Sequence, residues 1–234
     1  CGAAPLGSEL SDEAGKRMGC PVMQGYGMTE ASPVTHLSSM DPDQGRSGSI
    51  GKVVPGTEVR LVDPETGRDV DKGADGELWI RGPQIMRGYL KQPQATAESI
   101  DADGWYHSGD IGCVDDEGFF FIVDRVKELI KYKAMQVSPA ELEALLVTHP
   151  DVADAAVIPS PDEEAGEIPK GIVVLKDPAV ANDEMAEAIM AFVAGKVAPH
   201  KRVRALEFAE QIPKSASGKI LRRVLVDHER DASG

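Results

Sequence analysis

The spacing of apolar residues changes once along this chain, near residue 125, and no other feature restricts the fold as strongly. Before it, apolar residues come in short runs broken by turn signals, a β-rich pattern. Glu58–Val62 alternates and ends in Asp-Pro-Glu-Thr-Gly, and Gly76–Arg81 reads as another strand. Ile111–Val114 and Phe119–Val123 flank Asp115-Asp116-Glu117-Gly118, a hairpin with Gly at its turn. Residues 8–18, stopped by Gly19, and Pro93–Ile100 read as short helices. After the change, helix and strand alternate. Ser138-Pro139-Ala140-Glu141 is a capping box, with Ser at the N-cap, Pro at the first helical position and Glu at the third. Leu142, Leu145 and Leu146 continue it as an apolar stripe that ends before Pro150. Val152–Ile158, Ile172–Leu175 and Leu206–Phe208 are strand-like, while Met185, Ile189, Phe192 and Val193 recur at helical spacing up to Gly195. Ile220, Leu221, Val224 and Leu225 mark a final amphipathic helix. The expected fold is α+β: a β-rich part over residues 1–124, then a small mixed α/β domain over residues 125–234, with the boundary in Asp124–Lys127.

Composition removes several classes of function. A chain of 234 residues with 41% hydrophobic side chains can bury a real core. No apolar run approaches the ~18 residues that span a bilayer, and no signal-peptide pattern opens the chain; no membrane span and a cytoplasmic location are expected. The net charge of −14, from 25 basic and 39 acidic residues, disfavours nucleic acid as a partner. The charge is uneven, however. Residues 1–124 hold 10 basic and 21 acidic side chains, residues 125–234 hold 15 and 18, and the basic ones gather in Lys196–Arg223. That segment suits a local anionic ligand or a solvated face equally. Cys1, Cys20 and Cys113 form neither a disulfide framework nor a metal site, and the five His lack metal-ligand spacing. Ser217-Gly218-Lys219-Ile220 lacks the hydroxyl and the preceding Gly of a phosphate loop.

Four polar, Gly-rich stretches exceed what core packing needs. Gln24-Gly25-Tyr26-Gly27-Met28-Thr29-Glu30 reads as a strand, Val22–Gln24, running into a Gly-rich turn. There backbone N–H groups can approach a ligand, Tyr26 offers a flat face, Thr29 a hydroxyl and Glu30 a hard oxygen suited to Mg²⁺. In Trp105-Tyr106-His107-Ser108-Gly109-Asp110, an Asp at the start of a strand can accept two hydroxyl hydrogen bonds, as a ribose diol offers. Asp124–Lys133 places charges at the boundary, where a hinge would be. In Pro213–Ile220, Lys219 at a helix N-terminus favours phosphate or carboxylate. Taken singly, each has an ordinary reading as a turn, linker or cap, and a lone Gly-x-Gly reads first as a tight turn.

In this order the four stretches resemble the adenylate-forming superfamily of acyl- and aryl-CoA ligases, luciferases and peptide-synthetase adenylation domains. Gly82-Pro83-Gln84-Ile85-Met86-Arg87-Gly88-Tyr89-Leu90 and residues 123–146 are most similar to 4-coumarate:CoA-ligase-like enzymes. The resemblance implies a carboxylic acid, ATP with Mg²⁺, and CoA: adenylation of the acid, then thioester formation. Ala4 and Tyr26 would sandwich adenine beside Gln24, Gly25, Gly27 and Met28. Thr29 would hold phosphate oxygen and Glu30 the Mg²⁺; Asp110 would hold the ribose hydroxyls with Arg125 nearby. Lys219 would bridge the substrate carboxylate and α-phosphate. Lys131 and Gln136 would serve the second step, with Lys131, Lys133 and Ala134 beside CoA. Lys127 would be the hinge. Ala3, Gly27, Pro33 and Val34 would line the acyl pocket. Ala134, Ser108, His200 and Ser32 depart from the family's usual Gly, Thr, Tyr and Gly. The family's Ser/Thr/Gly-rich phosphate loop ending in Lys does not occur, and the chain opens on Cys1 without Met. It is therefore expected to be the β-rich tail of a large adenylation domain plus a complete small domain, inactive without the amino-terminal part of the same enzyme as its partner. Loading of a carrier protein, or a non-catalytic nucleotide-binding or interaction module, are the alternatives.

Overall fold

The computed structural model describes residues 1–2, 6, 8–39, 41, 45–133, 135–216 and 218–233, without the side chains of Glu9, Ala232 and Ser233. Two compact units divide the chain, Cys1–Val126 and Lys127–Gly234.

The first unit opens with helix α1 (Ser8–Met18), then strand β1 (Gly25–Gly27), a 3₁₀ turn at Thr29–Ala31, β2 (Val34–Leu37) and β3 (Lys52–Val53). These three strands form one antiparallel sheet in chain order. Strands β4 (Glu58–Val62), β5 (Gly76–Arg81), β6 (Tyr106–Val114) and β7 (Phe120–Arg125) form a second antiparallel sheet in chain order, with helix α2 (Pro93–Ser99) before β6. Alternation along β5 turns Leu78 and Ile80 into the core with no exposed surface, and leaves Glu77, Trp79 and Arg81 on the opposite face. Each such aliphatic burial contributes about 1.5–3 kcal/mol. Ile50 and Phe120 complete this core, and Tyr26, Met28 and Val53 from the first sheet pack against it. The sheet packing thus seats the Gly-rich strand β1 over β5–β7.

The second unit begins with the hairpin β8 (Ile130–Tyr132) and β9 (Met135–Val137). Helix α3 (Pro139–Leu146), the long strands β10 (Val152–Asp162) and β11 (Gly166–Leu175), helix α4 (Asp183–Ala194), strand β12 (Ala205–Phe208) and helix α5 (Arg222–Ser233) follow. The sheet order is β10-β11-β8-β9, with β12 parallel to β11. Leu142, Leu146, Ile189 and Val193 from α3 and α4 cover one face of β10 and β11 at Val157 and Val173. Leu225 and Val226 from α5 pack with Ala156, Ile158 and Ile172, which alternate onto the other face. Cover on both faces explains why these strands read as continuous apolar runs. The Ser138 hydroxyl accepts the Glu141 N–H at 3.2 Å, as the capping box predicts, and Asn182 caps α4 through the Met185 N–H at 2.9 Å.

The structure revises four local expectations. Strand β1 lies over Gly25–Gly27 rather than Val22–Gln24, because Tyr26 pairs with His36 of β2. Residues 130–137, read within or beside a charged boundary segment, form the β8–β9 hairpin because Ile130 and Val137 are fully buried. Asp110 lies within β6, four residues past its start, rather than at the start of a strand. Lys219 is not at a helix N-terminus. Ile220 bridges back to Lys214, and the Leu221 N–H bonds the Pro213 carbonyl at 2.8 Å, so helix begins only at Arg222.

Candidate functional site

In the first unit two of the predicted nucleotide residues, Tyr26 and Arg125, meet on a third, Asp110. The Asp110 carboxylate is 6% exposed and both oxygens are engaged. Its Oδ2 accepts from the Tyr26 hydroxyl at 2.5 Å, and its Oδ1 faces Arg125 Nε at 2.8 Å. The ladder sets this up, because Asp110 and Arg125 are direct partners across β6 and β7. Burial, then the neighbouring Asp110 charge and its hydrogen bond, hold the Tyr26 phenol neutral far above its usual range. The Arg125 side chain remains 58% exposed, so its charge faces both the carboxylate and solvent. The Ser108 hydroxyl accepts the Asp110 N–H at 3.1 Å, the bond its retained hydroxyl allows.

Beneath Tyr26 sits His36, which is fully buried. Its ring lies 5.6 Å from Tyr26 and 4.7 Å from Phe120, with Nδ1 at 2.9 Å from the Thr35 hydroxyl. Burial pushes its pKa down to about 4, so it is neutral at pH 7.

Gly27, Pro33 and Val34 come together because the chain doubles back there. A Cβ on Gly27 would lie 1.9 Å from the Pro33 carbonyl oxygen, so only glycine permits this approach. Ser32 holds a left-handed backbone, φ 53° and ψ 50°, where the family's usual Gly would sit without strain. Thr29 is exposed on the adjoining 3₁₀ turn, and Met28 packs into the core. Gln24 is used internally, because its side-chain amide donates to the Leu6 carbonyl at 3.0 Å. Ala3, Ala4 and Ala134 lie outside the described residues.

Glu30 is held by residues that its motif gave no sign of. Tyr89 donates its hydroxyl to Glu30 Oε1 at 2.9 Å, and the Met86 N–H bonds the Glu30 carbonyl at 2.8 Å. Tyr106 hydrogen-bonds Tyr89 in turn; burial first, then this bond, raise the Tyr106 phenol above its ordinary value. Among the described residues no group of three or more His, Cys, Asp or Glu could hold a metal ion. A single half-exposed carboxylate fits Mg²⁺ only where phosphate oxygens and water complete the shell.

In the second unit Lys131 and Gln136 are direct cross-strand partners on β8 and β9, side by side as the sequence pairing requires. Lys133 occupies the left-handed turn, φ 45°, and its ammonium pairs with Glu164 at 2.5 Å; that bond raises the Lys133 pKa. Lys219 is exposed on a tight turn, with its N–H on the Ser215 hydroxyl at 3.2 Å and its carbonyl accepting the Ser215 N–H at 2.8 Å. The turn is anchored at both ends. Lys214 pairs with Asp154 at 2.6 Å. Arg222 reaches Glu128 at 2.8 Å and the Val157 carbonyl at 2.8 Å, and also bonds Glu143.

The family model for the AMP-binding enzyme matches residues 1–90, and that for the AMP-binding enzyme C-terminal domain matches residues 141–219. This chain belongs to the AMP-binding enzyme family. The first match holds strand β1, Glu30 and the Tyr89 clamp of this chain, and the second ends on Lys219. 4-coumarate–CoA ligase 2 of Oryza sativa subsp. japonica is 52% identical over 228 residues, covering 96% of this chain and 40% of that ligase. Among solved structures, ATP-bound MatB from Rhodopseudomonas palustris has a TM-score of 0.91 at 29% identity, covering 100% of this chain and 45% of that one. An anthranilate CoA ligase in complex with anthranoyl-AMP has a TM-score of 0.89 at 30% identity, covering 99% and 44%. This AMP-binding family member therefore spans about two fifths of the length of the curated relative it matches. No helix among its described residues is long and apolar enough to cross a membrane.

Proposed function

We propose that this chain carries the adenosine-binding and thioester-forming elements of an ATP-dependent aryl- or acyl-CoA ligase of the 4-coumarate type. The observation that carries this is the buried Asp110 carboxylate, gripped by Tyr26 and Arg125 beside a Gly-rich strand. A ribose diol would exchange into that grip, with adenine along Tyr26, Gly25 and Gly27 and phosphate at Thr29. Glu30 would hold Mg²⁺, which when bound offsets phosphate charge.

In adenylation an oxygen of the acid's carboxylate forms a bond to the α-phosphorus while the bond to pyrophosphate breaks. Such displacement is mostly positioning and charge stabilisation, and Lys219 supplies the charge to carboxylate and α-phosphate. In thioester formation the CoA sulfur, its proton lost to solvent, bonds the acyl carbon and AMP leaves with the electron pair. Lys131 and Gln136 serve this step, with Lys133 beside CoA and Lys127 as the hinge between the two. Gly27, Pro33 and Val34 form one wall of the acyl pocket. With no Ser/Thr/Gly-rich phosphate loop in its 234 residues, the chain by itself gives background ATP–pyrophosphate exchange.

A calorimetric titration of the chain with AMP tests the site. Binding that weakens at least tenfold in both Asp110→Ala and Arg125→Ala is expected. Unchanged affinity in both variants would overturn the assignment.

A further inference from the structure

Strand β5 (Gly76–Arg81) has no chemical task in the reaction above. Its first charged residue, Glu77, has an unusual set of partners. Strands β5 and β6 pair Glu77 with Ile111 and Trp79 with His107. One residue of β5, Leu78, therefore faces three of β6: Ser108, Gly109 and Asp110. At the end of this bulge Asp110 pairs with Arg125 of β7, whose own register shift lies between Ile111 and Gly112, and the bulge holds Gly109 at φ +71°, in the left-handed region. A bulge also takes an amide out of the ladder. Glu77 takes up that amide, with Oε1 accepting the Gly109 N–H at 2.9 Å. The other oxygen, Oε2, accepts the Trp79 indole N–H at 2.9 Å. Trp79 in turn stacks on the His107 ring, 3.8 Å between centroids and 11° from parallel. One carboxylate thus holds the middle of the bulge at Gly109 directly and its His107 flank through the indole.

We propose that Glu77 is the positioning residue of the Asp110 site: it fixes the Ser108–Asp110 bulge so that Asp110 meets Tyr26 and Arg125. Glu77 touches no ligand in this scheme. It acts through the Gly109 amide on one oxygen, while Trp79 occupies the other. A glutamine at position 77 has one acceptor oxygen for two donors. Either Gly109 or Trp79 then loses its partner, and Trp79→Phe removes that competition.

Two measurements on the whole chain test this. The first is amide hydrogen exchange by NMR in Glu77→Ala, Glu77→Gln and Glu77→Gln with Trp79→Phe. A bond to a charged acceptor is strong enough that Gly109 exchange should rise about tenfold or more in Glu77→Ala, with core amides at Leu78 and Ile80 unchanged. Adding Trp79→Phe to Glu77→Gln should restore Gly109 protection. Gly109 exchange at the wild-type rate in Glu77→Ala would overturn the proposal; so would equal acceleration at Leu78 and Ile80, which marks general loosening. The second is AMP affinity, which rests on the adenosine site proposed above. A loss of about tenfold in Glu77→Ala, partly recovered by Trp79→Phe in the Gln variant, is expected. If Asp110→Ala leaves AMP affinity unchanged, the adenosine site fails and Gly109 exchange alone decides the role of Glu77. If Asp110→Ala weakens AMP but Glu77→Ala does not, the positioning role is wrong.

Discussion

Asp110 and Lys219 are the charged groups most directly assigned to the nucleotide, and their surroundings are opposite. Asp110 is buried, with both oxygens engaged and its bulge held by Glu77. Lys219 is exposed on a turn whose base is secured by Lys214 with Asp154 and by Arg222 with Glu128 and Glu143. The difference separates two tasks. A group that fixes a neutral diol must be placed before the ligand arrives, and burial with full hydrogen bonding provides this. A lysine that meets a changing charge needs reach and solvent, so its order sits one layer down, in Arg222.

Arg222→Met should break that layer with the largest effect. Burial alone would weaken the guanidinium charge, yet Glu143 and Glu128 hold it firmly protonated. Removing it leaves Glu143, which is 12% exposed and keeps the Val157 N–H, without its cation, at a cost of about 3 kcal/mol. Urea unfolding followed by second-unit amides should record that loss, with the first unit unaffected.

Acid should act on the two units differently. His36 has a folded pKa of about 4 against 6.5 unfolded. Between these values the unfolded chain binds a proton that the folded chain does not, so first-unit stability falls as pH drops from 6.5 and levels off below about 4. The total is on the order of 3 kcal/mol. His36→Phe should flatten this slope. In the second unit, burial alone would raise the Glu229 carboxyl, but Lys170 and Ser160 outweigh it and hold it below its ordinary 4.5. That contribution is complete above pH 4.5 and is lost only as pH falls through the lower folded value. Stability curves of the two units between pH 7 and 4 check the contrast.

Gly27→Ala should destabilise the first unit by about 1–3 kcal/mol, because the added methyl meets the Pro33 backbone. A melting temperature unchanged from wild type would show that the loop yields. The smallest effect belongs to Lys219→Ala. Its side chain is exposed, so the melting temperature should stay at the wild-type value, and a clear drop would show that the turn depends on it.

The sequence made the two halves unequally legible. In the second unit, caps and apolar spacing outline α3, α4 and the long strands, because each helix buries one stripe and each central strand both faces. The β8–β9 hairpin stayed hidden because, among its described residues, only Ile130 and Val137 are fully buried, set among charged neighbours. Lys219 read as a helix start because Ile220 and Leu221 continue the spacing of Val224 and Leu225, while their backbone is spent on Lys214 and Pro213. In the first unit the residue types at Tyr26, Glu30, Asp110 and Arg125 were visible, and so was their chemistry. Their supports were not. Glu77 lies 32 residues from Gly109 and Tyr89 lies 59 from Glu30, and no local pattern announces such pairs.

The central claim is that the Asp110 carboxylate is a preformed ribose site, and Asp110→Asn tests it most directly. Asparagine keeps the size and the ladder position but replaces one acceptor oxygen with a donor. Calorimetric titration of the chain with AMP should show at least a tenfold loss in Asp110→Asn. Wild-type AMP affinity in Asp110→Asn would contradict the account.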